Sequence, residues 1–528
     1  LPSEPAPIDV GLLSPVTAGH DDAVSDAAVL DALVAVEIAL ARSYERIGLA
    51  PADEVAAVED GLARFRRSRS DEGASRDPAA DLQGSRYGAA APTRPAGVDP
   101  GAPTRPAGID PGAPTRPAGI DPGAPTRPAG FDPAVLAREA VAGGNPVIPL
   151  VGALKAAVPE DGRRWVHRGA TSQDVLDSAL MVVAARAAGL VLDDLRAVEG
   201  ALARLAAAHR DTVGAARTLT QHAVPMTMGL RIANRLRGLR RAAARLEDAR
   251  FALPAQLAGA GGTLASFVEL AGPEGAAELP AAFAAELGLA VPDAPWHTTR
   301  WPVTELGDAL TGVLDALGAI GTDVATLSRT EIGELAEGAG GGSSAMPQKR
   351  NPAGSVLLRS AALRAPGLAS TLHLAAALAG DERPDGAWHA EWPTLRELLR
   401  LALGAAANGR RLAEGLRVDD AAVARNLDAT HGAILAERLS LVLGADTARE
   451  VLDDLTRRSR GAGGASRDGA GAPTRPTERD LAAVLEARGL DPALADPAGY
   501  TGLAGALVDD AVGTAASGIL EPEPLEEP

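Results

Sequence analysis

The chain reads as an all-α protein built on a bundle of long helices, and three observations carry that reading. Residues 160–224 contain no proline, so nothing there removes a helical hydrogen bond or clashes with the preceding turn. Within that stretch Val175 to His209 keeps apolar residues at helical spacing for far longer than an average helix. Strand patterning, with alternating polarity and β-branched side chains between turn residues, is close to nil.

Taken in order, Ser25-Asp26 is a cap followed by Leu30, Leu33, Val34, Glu37 and Leu40, which predicts a helix ending at Gly48. Pro51 suits the start of the next, Ala52 to Arg66. Further long helices are predicted over Pro225 to Leu253, Val303 to Glu337, Gly354 to Leu378 and Pro393 to Glu414, with Pro225 starting its helix and Pro366 kinking another. Helices this long and this rich in alanine belong in a bundle, where small side chains permit close approach.

Two segments look foreign to that bundle. From about 68 to 130 an eleven-residue unit recurs, Gly101 to Pro111, Gly112 to Pro122 and Gly123 to Pro133, each with one Arg, one Asp and three prolines. Such a charge-balanced segment has almost no large apolar side chains to offset ordering entropy, so it is expected to be disordered or loosely polyproline-like. Its prolines exclude the helical supercoil that a period of eleven could otherwise signal. A shorter relative, from about 458 to 477, carries Gly471-Ala-Pro-Thr-Arg-Pro476.

Composition excludes several function classes. A length of 528 residues allows two to four domains, and 46% apolar content suits a large core. Absence of cysteine removes disulfides, thiolate catalysis and zinc-thiolate sites, and accords with a cytoplasmic protein. A formal charge of -18 argues against nucleic acid, so an anionic substrate must meet a local positive cluster. The apolar runs are broken by Arg, Asp or Glu, and Leu1 to Asp9 lacks the basic-then-apolar order of a signal peptide. No membrane partner is expected.

The richest stretch is Gly340-Gly-Gly-Ser343-Ser344-Ala-Met-Pro-Gln-Lys349-Arg-Asn351-Pro352. Its glycines permit a segment that opens for substrate and closes over it. Lys349 offers a point charge to a carboxylate and Asn351 two amide donors, while Ser343 or Ser344 offers a hydroxyl able to pass a proton. Only two of the 51 basic residues are lysine, Lys155 and Lys349, which suggests that a compact ammonium is wanted at 349; Lys155 has no assigned role.

Two further clusters accompany the loop. Trp165-Val-His167-Arg168-Gly-Ala-Thr171-Ser172-Gln173-Asp174 places hydroxyls at the start of the long helix from Val175, where free amides and the helix dipole favour an anion. Taken alone, Thr-Ser-x-Asp is simply a helix cap. Arg217-Thr-Leu219-Thr-Gln221-His222-Ala-Val-Pro225 is the other, and His222 by itself reads as a structural histidine as readily as a functional one.

In this order and spacing the three clusters resemble the signature regions of the fumarase/aspartase superfamily, from about Leu12 to the C-terminal region apart from the two repeats. Closer likeness is to its 3-carboxy-cis,cis-muconate cycloisomerase branch. It is carried by Gly144 to Leu150, Gly169 to Val175, Pro295-Trp-His-Thr-Thr-Arg300, Gly386-Ala-Trp-His-Ala-Glu-Trp392 and Asp496-Pro-Ala-Gly-Tyr500. The resemblance implies a three-domain helical fold (1–166, 167–402 with the signature loop, 403–528) and a homotetramer whose active sites draw on three subunits. It also implies chemistry without cofactor or metal on a small tricarboxylate. Ser343 would then transfer the proton, Lys349, Asn351, Thr171, Ser172 and Gln221 would grip carboxylates, and His167 and Arg383 would stand nearby.

Leu219 and Asn145 stand where adenylosuccinate lyases carry histidines. Those histidines would be general acids for expelling nitrogen, which a lactonising enzyme needs less. The expected reaction is closure of 3-carboxy-cis,cis-muconate to a carboxymuconolactone, in the protocatechuate branch of the beta-ketoadipate pathway. The alternatives are a lyase acting on adenylosuccinate or a related amine adduct, and a catalytically idle structural relative.

Overall fold

The computed structural model describes residues 10–73, 132–338, 341, 346, 349–462 and 478–516. The structure is all-α in character, as its helix lengths predict. The expected disorder from about 68 does not hold for 68–73, which continue a helix to Gly73; 74–131 and the second low-complexity segment from 463 to 477 lie outside the described residues, and Asp132 and Pro133 of the last repeat cap and start a helix.

In chain order the helices begin with α1 (Asp26–Arg46) and α2 (Ala52–Gly73), then α3 (Pro133–Gly143), α4 (Val147–Ala157), the single turn α5 (Glu160–Arg163) and α6 (Ser172–Ala208). A hairpin of β1 (Val213–Thr218) and β2 (Gln221–Thr227) leads into α7 (Met228–Phe251), α8 (Ala265–Leu287) and α9 (Trp301–Leu327). Then come β3 (Leu335–Ala336), α10 (Ala353–Ala377), α11 (Ala387–Gly415), β4 (Arg417–Val418), α12 (Asp420–Asp428), α13 (Ala436–Leu443), α14 (Ala445–Ala462), α15 (Glu478–Ala487) and α16 (Ala504–Ala516). Ser25 accepts the Ala28 amide at 3.2 Å, so α1 starts where its cap predicts.

Contacts divide the chain into two compact units, Ala56–Arg164 and the remainder. In the smaller, Leu62, Leu150, Leu154 and Val158 are fully buried. A Cβ at Gly61 would lie 3.0 Å from the Ala157 carbonyl, which shows how closely α2 meets the end of α4. Asn145 accepts the Val147 amide at 3.1 Å and so shapes the turn into α4.

In the larger unit α6, α7, α9, α10 and α11 pack on one another as the bundle core. α9 and α10 approach closely because α9 presents glycine to its neighbour: a Cβ at Gly318 would stand 2.4 Å from that of Ala362. α6 and α9 are long and apolar enough to cross a membrane by length and composition. Here their apolar faces meet other helices, and α6 buries two carboxylates, Asp174 and Asp177. A satellite core of Leu435, Leu439, Val451, Leu455, Leu481 and Leu485 organises the C-terminal helices.

The structure corrects three further expectations. Strands are present, few and short: β1 pairs antiparallel with β2, and β3 with β4. Pro225 lies inside β2, and its helix starts at Met228, capped by Thr227. α9 stops at Leu327 well short of Glu337, because Gly333 turns left-handed at φ +67° and Glu334 is claimed by partners outside the helix.

Candidate active site

The α6 N-terminus is built from the chain's second buried layer outward. Asp174, fully buried, accepts the amides of Thr171 (3.0 Å), Ala258 (3.0 Å) and Gly259 (2.9 Å), and its Oδ1 pairs with His297 Nε2 at 2.9 Å. One carboxylate thus seals the helix cap and ties it to the glycine-rich turn before α8. One helical turn on, Asp177 takes two bonds from Arg300 (2.7 and 3.1 Å) and one from the Trp388 indole (2.8 Å), while Arg300 reaches Glu391 at 2.6 Å with its other edge.

Burial alone would lower the Arg300 guanidinium, but Asp177 and Glu391 more than offset it and hold it charged. Burial also pushes the Glu391 carboxyl above its usual range, with Asp177 adding to the rise and Arg300 opposing it. The strings Gly169 to Val175, Pro295 to Arg300 and Gly386 to Trp392 therefore meet in one buried polar node.

Above that node stand the first predicted contacts. Arg383, on the connection between α10 and α11, donates to the Thr171 hydroxyl, and Ser172 opens the helix beside it. A cation, a hydroxyl and a helix N-terminus at one point favour a carboxylate. His167 has φ +57°, and both its amide (2.8 Å) and its Nδ1 (2.7 Å) engage Glu37, whose carboxylate is fully buried. This fixes the ring against α1 and turns Nε2 away from that carboxylate.

Two sets of bonds hold the described residues at the stem of the signature loop. Glu337 accepts the Gly354 and Ser355 amides (3.0 and 2.8 Å) and the Ser355 hydroxyl (2.6 Å), closing the loop's base on the α10 N-terminus. Farther out, Gly341 and Asn351 exchange both backbone bonds at 2.9 Å. Lys349 is exposed and has no carboxylate partner among the described residues. Ser343 and Ser344 lie outside the described residues. A cavity of about 230 Å³ lined by Glu337, Gly338, Gly354, Leu357, Asn408, Arg411 and Leu412 sits against the base.

Gln221 is exposed at the tip of the β1–β2 hairpin, next to Leu219 and Thr220, which take the two left-handed turn positions at φ +48° and +72°. Leu219 is 95% exposed. His222 faces Arg217 across the ladder, and burial, with Arg217 adding to it and Glu334 opposing, lowers its pKa.

The structure thus brings Thr171, Ser172 and Arg383 together, with His167 on the same approach to α6. Lys349 and Asn351 share the loop, and Gln221 stands on the hairpin. Among the described residues no hydrogen bond or ion pair joins these three groups within one chain. Sequence reasoning missed the supporting residues Glu37, Asp177, His297, Arg300, Glu334, Glu337 and Glu391, while Asp174 closes the cap that Thr-Ser-x-Asp implies. Several sit inside strings that carried the resemblance, which was the available signal.

The sequence profile of the lyase family matches residues 140–367. The chain is 39% identical to a nitrosuccinate lyase of Streptomyces davaonensis over 97% of its own length and 96% of that protein. It is 43% identical to a 3-carboxy-cis,cis-muconate cycloisomerase of Pseudomonas aeruginosa over 74% of its length and 84% of that protein. Among solved structures, the 3-carboxy-cis,cis-muconate lactonizing enzyme of Pseudomonas putida superposes with a TM-score of 0.71 at 32% identity, covering 93% of this chain and 96% of the other. With such likeness over nearly the whole length, in sequence and in fold, the chain belongs to the lyase family of the fumarase/aspartase superfamily.

Proposed function

We propose that this enzyme closes 3-carboxy-cis,cis-muconate to a carboxymuconolactone by intramolecular addition of a substrate carboxylate. Ring closure gains from proximity, because nucleophile and acceptor belong to one molecule. Negative charge then moves onto the neighbouring carboxylate, and Lys349, Asn351, Thr171, Ser172 and Gln221 hold the carboxylates while it does. Ser343 delivers the proton to carbon, Arg383 adds a positive charge beside these grips, and His167 stands nearby. The active protein is a cytoplasmic homotetramer. That arrangement accounts for three groups of site residues that do not meet within one chain, each site drawing them from three subunits.

The observation that carries this reading over expulsion of an amine is Leu219. It fills the hairpin tip with an apolar side chain, and Asn145, the second position of interest, spends its amide on the turn into α4. Neither can protonate a departing amine at neutral pH.

A second reading has its own support, the 39% identity to a nitrosuccinate lyase over 97% of this chain. A nitro group leaves carbon as nitrite, the weakly basic anion of an acid, so its departure also needs no general acid where Leu219 stands. The same carboxylate grips and the same loop serine, now acting as base at carbon, would serve that elimination. Three assays on the purified protein separate the cases: loss of ultraviolet absorbance from the muconate, nitrite release from nitrosuccinate, and fumarate release from adenylosuccinate. Muconate closure with neither release is expected. Nitrite release with the muconate untouched would transfer the assignment to the second reading.

A further inference from the structure

The hairpin bearing Gln221 and the loop bearing Lys349 and Asn351 are separate in sequence, yet one buried ion pair ties their stems together. Arg217 grips Glu334 with both arms of its guanidinium, at 2.9 and 2.5 Å, and Glu334 is almost completely buried at 1% exposure. Arg217 stands opposite His222, one rung from the Thr218–Gln221 rung that closes the hairpin. Between the Arg217–His222 and Ala215–Pro225 rungs, β2 carries two residues, Ala223 and Val224, against Ala216 alone on β1. This bulge re-aims the outer half of the hairpin, which needs a separate fixing point.

Glu334 is placed to be that point for the loop as well. It precedes β3 directly, and three residues later Glu337 closes the loop base on α10. The stem cannot give way easily, since Asn426 also donates to Glu334 at 2.8 Å and the Asp419 amide to its carbonyl at 3.0 Å. Burial opposes the ionised carboxylate, and the bonds from Arg217 and Asn426 outweigh it, so Glu334 titrates below its usual range.

We infer that Arg217 and Glu334 are positioning residues, which hold the Gln221 hairpin and the stem of the signature loop in fixed register through a bidentate pair. Neither touches substrate. The inference rests on the reading of Gln221, Lys349 and Asn351 as carboxylate-binding groups. A planar fork is required, because an ammonium at 217 would satisfy the charge without fixing the angle between hairpin and stem.

The test uses the full-length protein with Arg217→Lys, Glu334→Gln and Arg217→Ala. Arg217→Lys and Glu334→Gln are expected to fold and to lose about tenfold or more in kcat, with KM changed by less than about threefold. Methylguanidinium added to Arg217→Ala should restore about fivefold or more of the lost turnover, while leaving Lys349→Ala as inactive as before. Folded Arg217→Lys and Glu334→Gln proteins with turnover within about twofold of wild type would overturn the inference. Hydrogen exchange gives a reading independent of substrate: Arg217→Lys should speed exchange at amides 335 to 338, far along the chain from the substitution. Unchanged exchange there overturns the coupling whatever reaction the enzyme performs. A wild-type protein inert towards the muconate, with faster exchange in the variant, overturns the proposed reaction and leaves the coupling standing.

Discussion

The α6 N-terminus and the signature loop carry the polar groups proposed to bind carboxylates, and they are built by opposite means. Thr171 sits on a node in which every carboxylate is buried and bonded several times over: Asp174 by three amides and a histidine, Asp177 by Arg300, Gln173 and Trp388. Among the loop's described residues, Glu337 and the Gly341–Asn351 pair hold the stem, and the Lys349 amide bonds to the Met346 carbonyl. One half of the proposed site thus rests on buried, multiply bonded carboxylates, and the other on a glycine-rich stem held by backbone pairing. Damage to the first should appear as lost stability, and damage to the second as lost turnover.

The largest effect is expected at the node. Asp177→Ala leaves Arg300 with Glu391 as its one charged partner among the described residues and strands the Trp388 indole. Breaking a buried charged network in this way costs about 3–5 kcal/mol, which a denaturant titration would read as a clear fall in midpoint. An unchanged midpoint would show that the node is not what fixes the α6 N-terminus.

At the loop the pattern should reverse. Ser343→Ala removes one hydroxyl and is expected to lower kcat by about 10³-fold while the melting temperature moves by less than about 1 °C. A comparable loss of stability would mean that the loop is part of the scaffold, and the contrast with α6 would disappear.

Sequence made the two halves legible to different depths. Capping chemistry located α1 and the start of α6 because Ser25 and Thr171 act on amides within the next turn. The pairing of Asp177 with Arg300 and of Arg300 with Glu391 spans 123 and 91 residues, so periodicity could mark the strings as unusual without showing that they meet. The hairpin escaped notice for a different reason. Its turn places Leu219 and Thr220 at positive φ, where glycine or asparagine would be the usual signal, and neither strand alternates cleanly between buried and exposed residues. Pro225 then invited a helix start that Thr227 supplies instead.

Lys349→Arg sharpens the comparison at intermediate size. Lys349 is exposed and without a carboxylate partner among the described residues, so none of those residues needs its charge. A broader planar cation should lower kcat/KM by about tenfold and leave folding untouched. Activity equal to wild type would show that the position needs a charge and no particular shape.

The smallest expected effect concerns pH, at the hairpin. Burial, with Arg217 beside the ring, lowers the pKa of His222 below 6.5 in the folded protein, against a weaker opposing pull from Glu334. The unfolded chain therefore binds this proton more readily than the folded one. Stability from the neutral ring is complete above pH 6.5, falls as pH drops below it, and levels off under the lowered folded value. Glu334, whose folded pKa is lowered from 4.5, gives up its contribution only at still more acid pH, so the two windows separate. His222→Asn should cost some stability at about pH 7.5 and less at about pH 5.5, because wild type alone carries the proton-uptake penalty on staying folded in acid. Other histidines are common to both proteins and cancel in the difference. Parallel losses of midpoint at the two pH values would show that His222 is not held neutral by the Arg217 clamp, and that the hairpin's outer half is looser than the ion pair at its stem implies.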